Sequence, residues 1–223
     1  MSTQRITKIE PQKKNPGRRN IYVDDQFILG ISDETLLWAG LRVGDVFTTA
    51  RLHELQERES YASAKSAALR FLSYRPRTER ELRNKLRETE HAESHIDAVL
   101  DDLKQAGLVD DQAFARMYIR DTRAARPVGP LLLKQKMLLL GLDKELVEDA
   151  LRETMENVSQ DDDAKVAARK FLQQSGKSGR RVDARKLRSR LTGLLARRGF
   201  SWDVIGKVVN QTMQSHDESN EAR

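Results

Sequence analysis

The chain has no cysteine, which rules out disulfides and thiolate metal sites and fits a reducing cytosol. Aromatic residues make up only 5% of its 223 positions, too few for the series of stacking platforms that a general single-strand binder uses. No apolar run approaches the ~18 to 20 residues of a membrane span, and Met1 to Gln12 lacks the apolar centre of a signal peptide. Histidine is also scarce. His91 and His95 stand at i,i+4, but their order is not that of a zinc protease and no third ligand recurs nearby, so a loop and helix start is the reading. Lys177-Ser178 after Gly176 looks like the end of a phosphate loop, yet Phe171 replaces the required glycine and no strand precedes it. The carboxylates occupy amphipathic or capping positions rather than an apolar cleft. The expectation is a soluble cytoplasmic protein with no catalytic set, no cofactor and no metal site.

What the chain does have is charge. One residue in three is ionisable (33%), the net charge is +6 and the pI is near 9.6. Polyanions or acidic protein surfaces are therefore the expected partners. A hydrophobic content of 38% is low but enough for thin helical cores.

A repeat is also present. Ala67-Ala68-Leu69-Arg70-Phe71-Leu72 returns as Ala167-Ala168-Arg169-Lys170-Phe171-Leu172, and Phe114-Ala115-Arg116-Met117-Tyr118-Ile119 is a looser version between them. The closing helices agree: Gly141-Leu142, Leu146-Val147, Ala150-Leu151 and Thr154-Met155 align with Gly199-Phe200, Val204-Ile205, Val208-Val209 and Thr212-Met213. A period of roughly 50 residues built from helices implies stacked packets that bury each other's faces. Phe71, Tyr118 and Phe171 are expected at equivalent inward positions, with Phe200 also in a core.

The predicted architecture is mainly α: an elongated tandem array of three three-helix repeats, preceded by a small β-hairpin or meander module. Its boundaries are 1–48 for the β module, 49–109 for a linking helix and repeat one, 110–159 for repeat two, 160–215 for repeat three and 216–223 for a disordered tail. In the first segment, Arg5 to Gln12 alternates, Asn15-Pro16-Gly17 punctuates, and Asn20 to Ser32 alternates again around Asp24-Asp25. A short helix from Asp33 to Ala39 closes at Gly40. A long helix runs from about Thr49 to Tyr74, with a break suggested near Ser60. Thr78 and Glu81 form a capping box at the second helix of repeat one. Gly129-Pro130 restarts repeat two and Asp183 restarts repeat three.

Charge follows the repeat. The first two helices of each unit are basic, the third helices of repeats one and two are acidic (Glu93, Asp97, Asp101 and Asp102, then Asp143, Glu145, Glu148, Asp149, Glu153 and Glu156), and repeat three stays basic. For a single residue the solvated face is an adequate account. Repetition in step with the fold predicts one positive edge and one negative.

The residues now become familiar. AALRFLSYRPRTERE from Ala67 to Glu81, GLVDDQAFARMYIRDTR from Gly107 to Arg123 and GPLLLKQKM from Gly129 to Met137 resemble the RecX family of RecA regulators. The shared points are the Leu-Ser-x-Arg-x-x-Thr-x-x-Glu-Leu-x-x-Lys-Leu run, the Asp-x-x-Phe-Ala opening of repeat two and the Gly-Pro restart. They cover roughly Ala64 to Leu151. The amino-terminal Ile-Thr-Lys-Ile-Glu and Leu-Arg-Val-Gly-Asp segments are similar to an extension of longer members. Repeat three departs through an insertion from Ser175 to Gly179.

The resemblance implies a regulator that binds the RecA nucleoprotein filament in its helical groove and reduces strand exchange, ATP hydrolysis and RecA-assisted repressor cleavage. Candidate contacts to RecA or DNA are Arg75, Arg77, Arg80, Arg116, Arg120, Arg123, Arg126, Arg180, Arg181, Arg185, Arg188, Arg197 and Arg198. Weak DNA affinity, no membrane and a monomer are expected, since no heptad seam forces a dimer. Two other classes stay open: a DNA-binding protein that does not read sequence, and a non-catalytic interaction scaffold.

Overall fold

The computed structural model describes residues 4–156, 159–176 and 183–221. The element order is β1 (Ile6–Gln12), β2 (Asn15–Val23), β3 (Gln26–Ser32), α1 (Asp33–Ala39), α2 (Thr49–Leu72), α3 (Glu79–Glu88), α4 (Glu93–Gln105), α5 (Asp111–Ala125), α6 (Pro130–Leu139), α7 (Lys144–Met155), α8 (Gln160–Gly176), α9 (Ala184–Arg197) and α10 (Trp202–Glu221). Two compact units result. One holds the residues up to Arg77 with Leu82–Val109, and the other holds Thr78–Glu81 with the residues from Asp110 onward.

In the first unit the strands form an antiparallel sheet in the order β1-β2-β3. Asp24 and Asp25 close the β2–β3 hairpin with φ of 48° and 63°, the paired positive values that a two-residue turn of matching twist requires. Strand β2 starts earlier than expected. The β1–β2 turn falls at Lys13-Lys14, and Pro16-Gly17 lie inside β2 where the register with β1 shifts between Pro11 and Gln12. Ile6, Ile21, Val23, Leu29 and Ile31 cover one sheet face and meet Phe47, just before α2, and Leu55 of α2. Glu59 of α2 fastens this contact by accepting from the Ser32 N–H at 2.8 Å and pairing with Arg18 at 2.6 Å. Helix α2 runs unbroken through Ser60, where no proline or glycine interrupts its ladder. Its later turns pack Ala64 and Ala68 against Leu82 and Leu86 of α3 and Ile96, Val99, Leu100 and Leu103 of α4.

The second unit contains two further cores of the same plan. Phe114, Ala115, Ile119, Leu133, Met137, Leu142, Val147 and Ala150 form one, and Ala164, Ala167, Ala168, Leu187, Leu191, Leu195, Phe200, Ile205 and Val208 form the other. In each three-helix packet the first and third helices lie together: α2 on α4, α5 on α7 and α8 on α10. The small residue at the repeated position makes this possible. Ala68, Ala115 and Ala168 are 1%, 0% and 0% exposed, so two backbones approach closely over them. Phe71, Tyr118 and Phe171 differ from expectation, being half-buried and packed on the rims of their cores. Phe200 is fully inside.

Caps define the helix ends. Ser32, Thr48, Asp110, Asp143 and Asp183 accept from first-turn amides of α1, α2, α5, α7 and α9. Thr78 and Glu81 make the reciprocal capping box, with Glu81 N–H to Thr78 Oγ1 at 3.1 Å and Thr78 N–H to Glu81 Oε2 at 3.3 Å. Helix α10 continues to Glu221, so most of the segment expected as a tail is helical. No proline or glycine after Gly206 stops it.

Candidate functional site

In repeats one and two, several carboxylates of the acidic third helices pair with basic side chains of their own packet. On α3, Arg83 reaches Asp97 at 2.6 Å, and Arg87 grips Glu93 through Nε at 2.6 Å and NH2 at 3.0 Å. The Arg87 guanidinium holds the Glu93 carboxyl below the usual range. Asp102 accepts from Tyr61 Oη and from Lys65 at 2.9 Å, and those two bonds, Tyr61 first, lower its pKa. In repeat two, Lys134 pairs with Glu148 at 2.5 Å and Arg116 with Glu153 at 2.9 Å. The Lys134 hydrogen bond lowers the Glu148 pKa. Such exposed pairs contribute little stability individually.

Repeat three lacks this compensation. Helix α9 carries Arg185, Lys186, Arg188, Arg190 and Arg197 and no carboxylate. Among the described residues none of these five cations has an ion pair. Arg188 hydrogen-bonds the Asn210 amide, and Arg190 lies 5.9 Å from the centre of the Phe171 ring. The positions between them are inward: Leu187, Leu191 and Leu195 anchor α9 in its core, which turns the cations outward. Asp183 caps the helix start.

The remaining candidates divide by what they touch. Arg116, Arg120 and Arg123 stand at helical spacing on α5 and line a groove of about 560 Å³ with Ala124, Glu153 and Thr154. All three have a carboxylate partner: Arg116 pairs with Glu153, and Arg123 donates to Asp163 at 3.1 and 2.9 Å in a half-buried contact. Arg120 is exposed and pairs weakly with its neighbour Asp121 at 3.4 Å. Arg126 is exposed at the end of α5 near Arg198. Burial, and then the Arg126 charge, pull Arg198 below the usual arginine range.

Arg75 is exposed and donates to the Pro76 carbonyl at 2.9 Å. Arg77 stacks on Phe71 at 3.9 Å and serves the packet rather than a distant partner. Arg80 lays its methylenes against Gly141. Arg180 and Arg181 lie outside the described residues. Lys186 and Arg190 belong to the basic face of α9 and were absent from the candidates; their spacing around the leucines was the available signal.

Among the described residues there is no group of three or more His, Asp or Glu side chains arranged to hold a metal ion, and no helix is long and apolar enough to cross a membrane.

The chain matches known proteins along nearly its whole length. Residues 4–48 match the regulatory protein RecX N-terminal domain, and residues 64–103, 110–151 and 161–209 match the first, second and third three-helix domains of RecX. The Regulatory protein RecX of Staphylococcus carnosus is 33% identical over 96% of this chain and 76% of its own length, and that of Clostridium acetobutylicum is 31% identical over 97% and 100%. A crystal structure of regulatory protein RecX superposes with a TM-score of 0.69 at 28% identity, covering 93% of this chain and 99% of that one. The crystal structure of RecX from Lactobacillus salivarius gives 0.60 at 25% identity, covering 70% and 97%. Four matched domains in the expected order, on a fold shared with solved members, place this chain in the RecX family of regulatory proteins.

Proposed function

We propose that this protein is a cytoplasmic, non-enzymatic regulator of RecA that binds the RecA–DNA filament in its helical groove and lowers ATP hydrolysis, strand exchange and repressor cleavage. Membership of the RecX family supports RecA as the target. The observation that supports the binding mode is the positive face of α9, whose cations have no ion pair among the described residues, in contrast to the pairs within repeats one and two. Clustered cations of this kind attract a polyanion at long range and set its orientation. In the filament the polyanion is DNA or an acidic protein surface. Direct affinity for DNA alone is weak and salt-sensitive on this reading, and the protein acts as a monomer.

The test is RecA-filament ATP hydrolysis with increasing protein. Substoichiometric amounts slow turnover, because one bound molecule affects several RecA protomers. Unchanged ATP hydrolysis and strand exchange at saturating excess sink the reading. Tight DNA binding without any effect on RecA leaves a DNA-binding protein in its place.

A further inference from the structure

The second helix of every repeat ends in the same left-handed turn. Two residues beyond α3, α6 and α9 stand Glu90, Gly141 and Gly199, with φ of 60°, 89° and 77°. In each, the left-handed residue donates to the carbonyl three positions back and its successor to the carbonyl five back: Glu90 to Arg87 and His91 to Leu86, Gly141 to Leu138 and Leu142 to Met137, Gly199 to Ala196 and Phe200 to Leu195. This is the glycine-type helix stop, and at α3 it is built without glycine.

At α6 and α9 the turn receives the start of another second helix. Thr78 Oγ1 donates to the Leu140 carbonyl at 2.8 Å, the Gly129 N–H to Arg198 O at 2.8 Å and the Leu131 N–H to Gly199 O at 3.2 Å. The approach leaves no space for a side chain. A Cβ on Gly141 would come 2.0 Å from Arg80 Cδ, and one on Gly199 would come 2.2 Å from the Leu132 nitrogen.

The α3 turn is open instead. Thr89 and His91, with Arg18, Ser63, Ser66 and Arg70, are among the residues lining a polar cleft of about 480 Å³. His91 stands where Leu142 and Phe200 are only 4% and 2% exposed. Glu90 places a Cβ at the position that must be bare for a helix start to dock.

We propose that the α3 end is a closed acceptor: a surface of the kind that takes a helix start twice within the chain, barred by Glu90 from taking the α9 start of a second copy. The starts of α3 and α6 are engaged, whereas among the described residues no helix end meets the start of α9. A chain that carries a donor in one repeat and an open acceptor in another can associate head to tail. A polar, blocked terminal repeat prevents this. Glutamate in the left-handed region is strained relative to glycine, and the block is the gain that accompanies the strain.

The test compares full-length wild type, Glu90→Ala, and the double variant Glu90→Gly/His91→Leu by sedimentation velocity over a wide concentration range. The double variant sediments faster as concentration rises, while wild type and Glu90→Ala, which both keep a Cβ, do not. Ala184→Trp, placed at the exposed α9 start of the double variant, abolishes the rise. Should the double variant melt below wild type, Glu90→Gly alone carries the test with the same outcomes. A double variant that sediments like wild type, an equal rise in all three proteins, or a rise indifferent to Ala184→Trp overturns the proposal.

Discussion

A glycine and a glutamate in the same backbone conformation respond oppositely to exchange. In Gly199→Ala the new Cβ meets backbone of α6, which no rotamer change relieves, and the left-handed penalty of about 1–2 kcal/mol is added. A loss of more than about 2 kcal/mol is expected in urea unfolding. Glu90→Gly should instead gain up to about 1 kcal/mol, offset in part by the freer unfolded chain.

The repeated Ala and aromatic positions make a second contrast. A fully buried aromatic costs about 3–5 kcal/mol on truncation, but Phe171 is half-exposed, so Phe171→Ala should cost about 2 kcal/mol. Ala168 is 0% exposed, and Ala168→Leu should cost about 1–3 kcal/mol through overpacking. Thermal midpoints check both. The letters of the repeat made these positions visible, but they did not reveal which of the two faced inward. Aromatic size drew attention to the ring, whereas close helix approach selects the alanine.

Asp102 gives a pH prediction. Its pKa is lowered in the folded state, so its contribution is present above the unfolded carboxylate range and is lost as pH falls through the folded pKa. Asp102→Asn should therefore lower the melting temperature at neutral pH and leave it unchanged at strongly acid pH, in a scan from neutral to acid.

At the level of elements, α9 separates a binding surface from an ordinary solvated one. Arg185, Lys186 and Arg197 are exposed and make no ion pair among the described residues, so changing all three to Gln should leave helicity and melting nearly unaltered. DNA and filament affinity should fall. The log-log salt slope of DNA binding should flatten by roughly one for each phosphate contact removed. An unaltered slope and affinity would make the α9 face an ordinary solvated surface.

Element boundaries were readable because caps are local in sequence: Ser32, Thr78 with Glu81, Asp110, Asp143 and Asp183 each announce a helix within three residues. The start of β2 was not, because Pro16-Gly17 read as a turn while the register shift beside them accommodates both. Charge pairing was also hidden. Arg83 with Asp97 and Arg116 with Glu153 are 14 and 37 residues apart, beyond any i,i+4 rule, so these carboxylates looked available when they were engaged.

At the scale of the whole chain, the turn at Gly199 ties α9 to the start of α6 through backbone groups on both sides, whereas the turn at Gly141 is tied to the start of α3 through the Thr78 hydroxyl. The first amides of a helix have no internal partner and normally exchange quickly with solvent. The Gly129 and Leu131 amides are exceptions, since carbonyls across the contact accept from them. They should exchange far more slowly than the Glu145 amide of α7, whose bond is to its own cap, Asp143. Gly199→Ala should remove that difference, as followed by amide hydrogen exchange.

The same contact also bears on how such a chain lengthens. Its two halves, a helix start that donates and a left-handed glycine that accepts, are written at opposite ends of one short helix. An internal gene duplication copying the segment around α6, one period of roughly 50 residues, would carry both halves and insert a unit already able to join its neighbours. A duplication of the segment ending at Glu90 would place a side chain in the path of the incoming helix. A relative with an added repeat is therefore expected to hold glycine at this turn in the added unit.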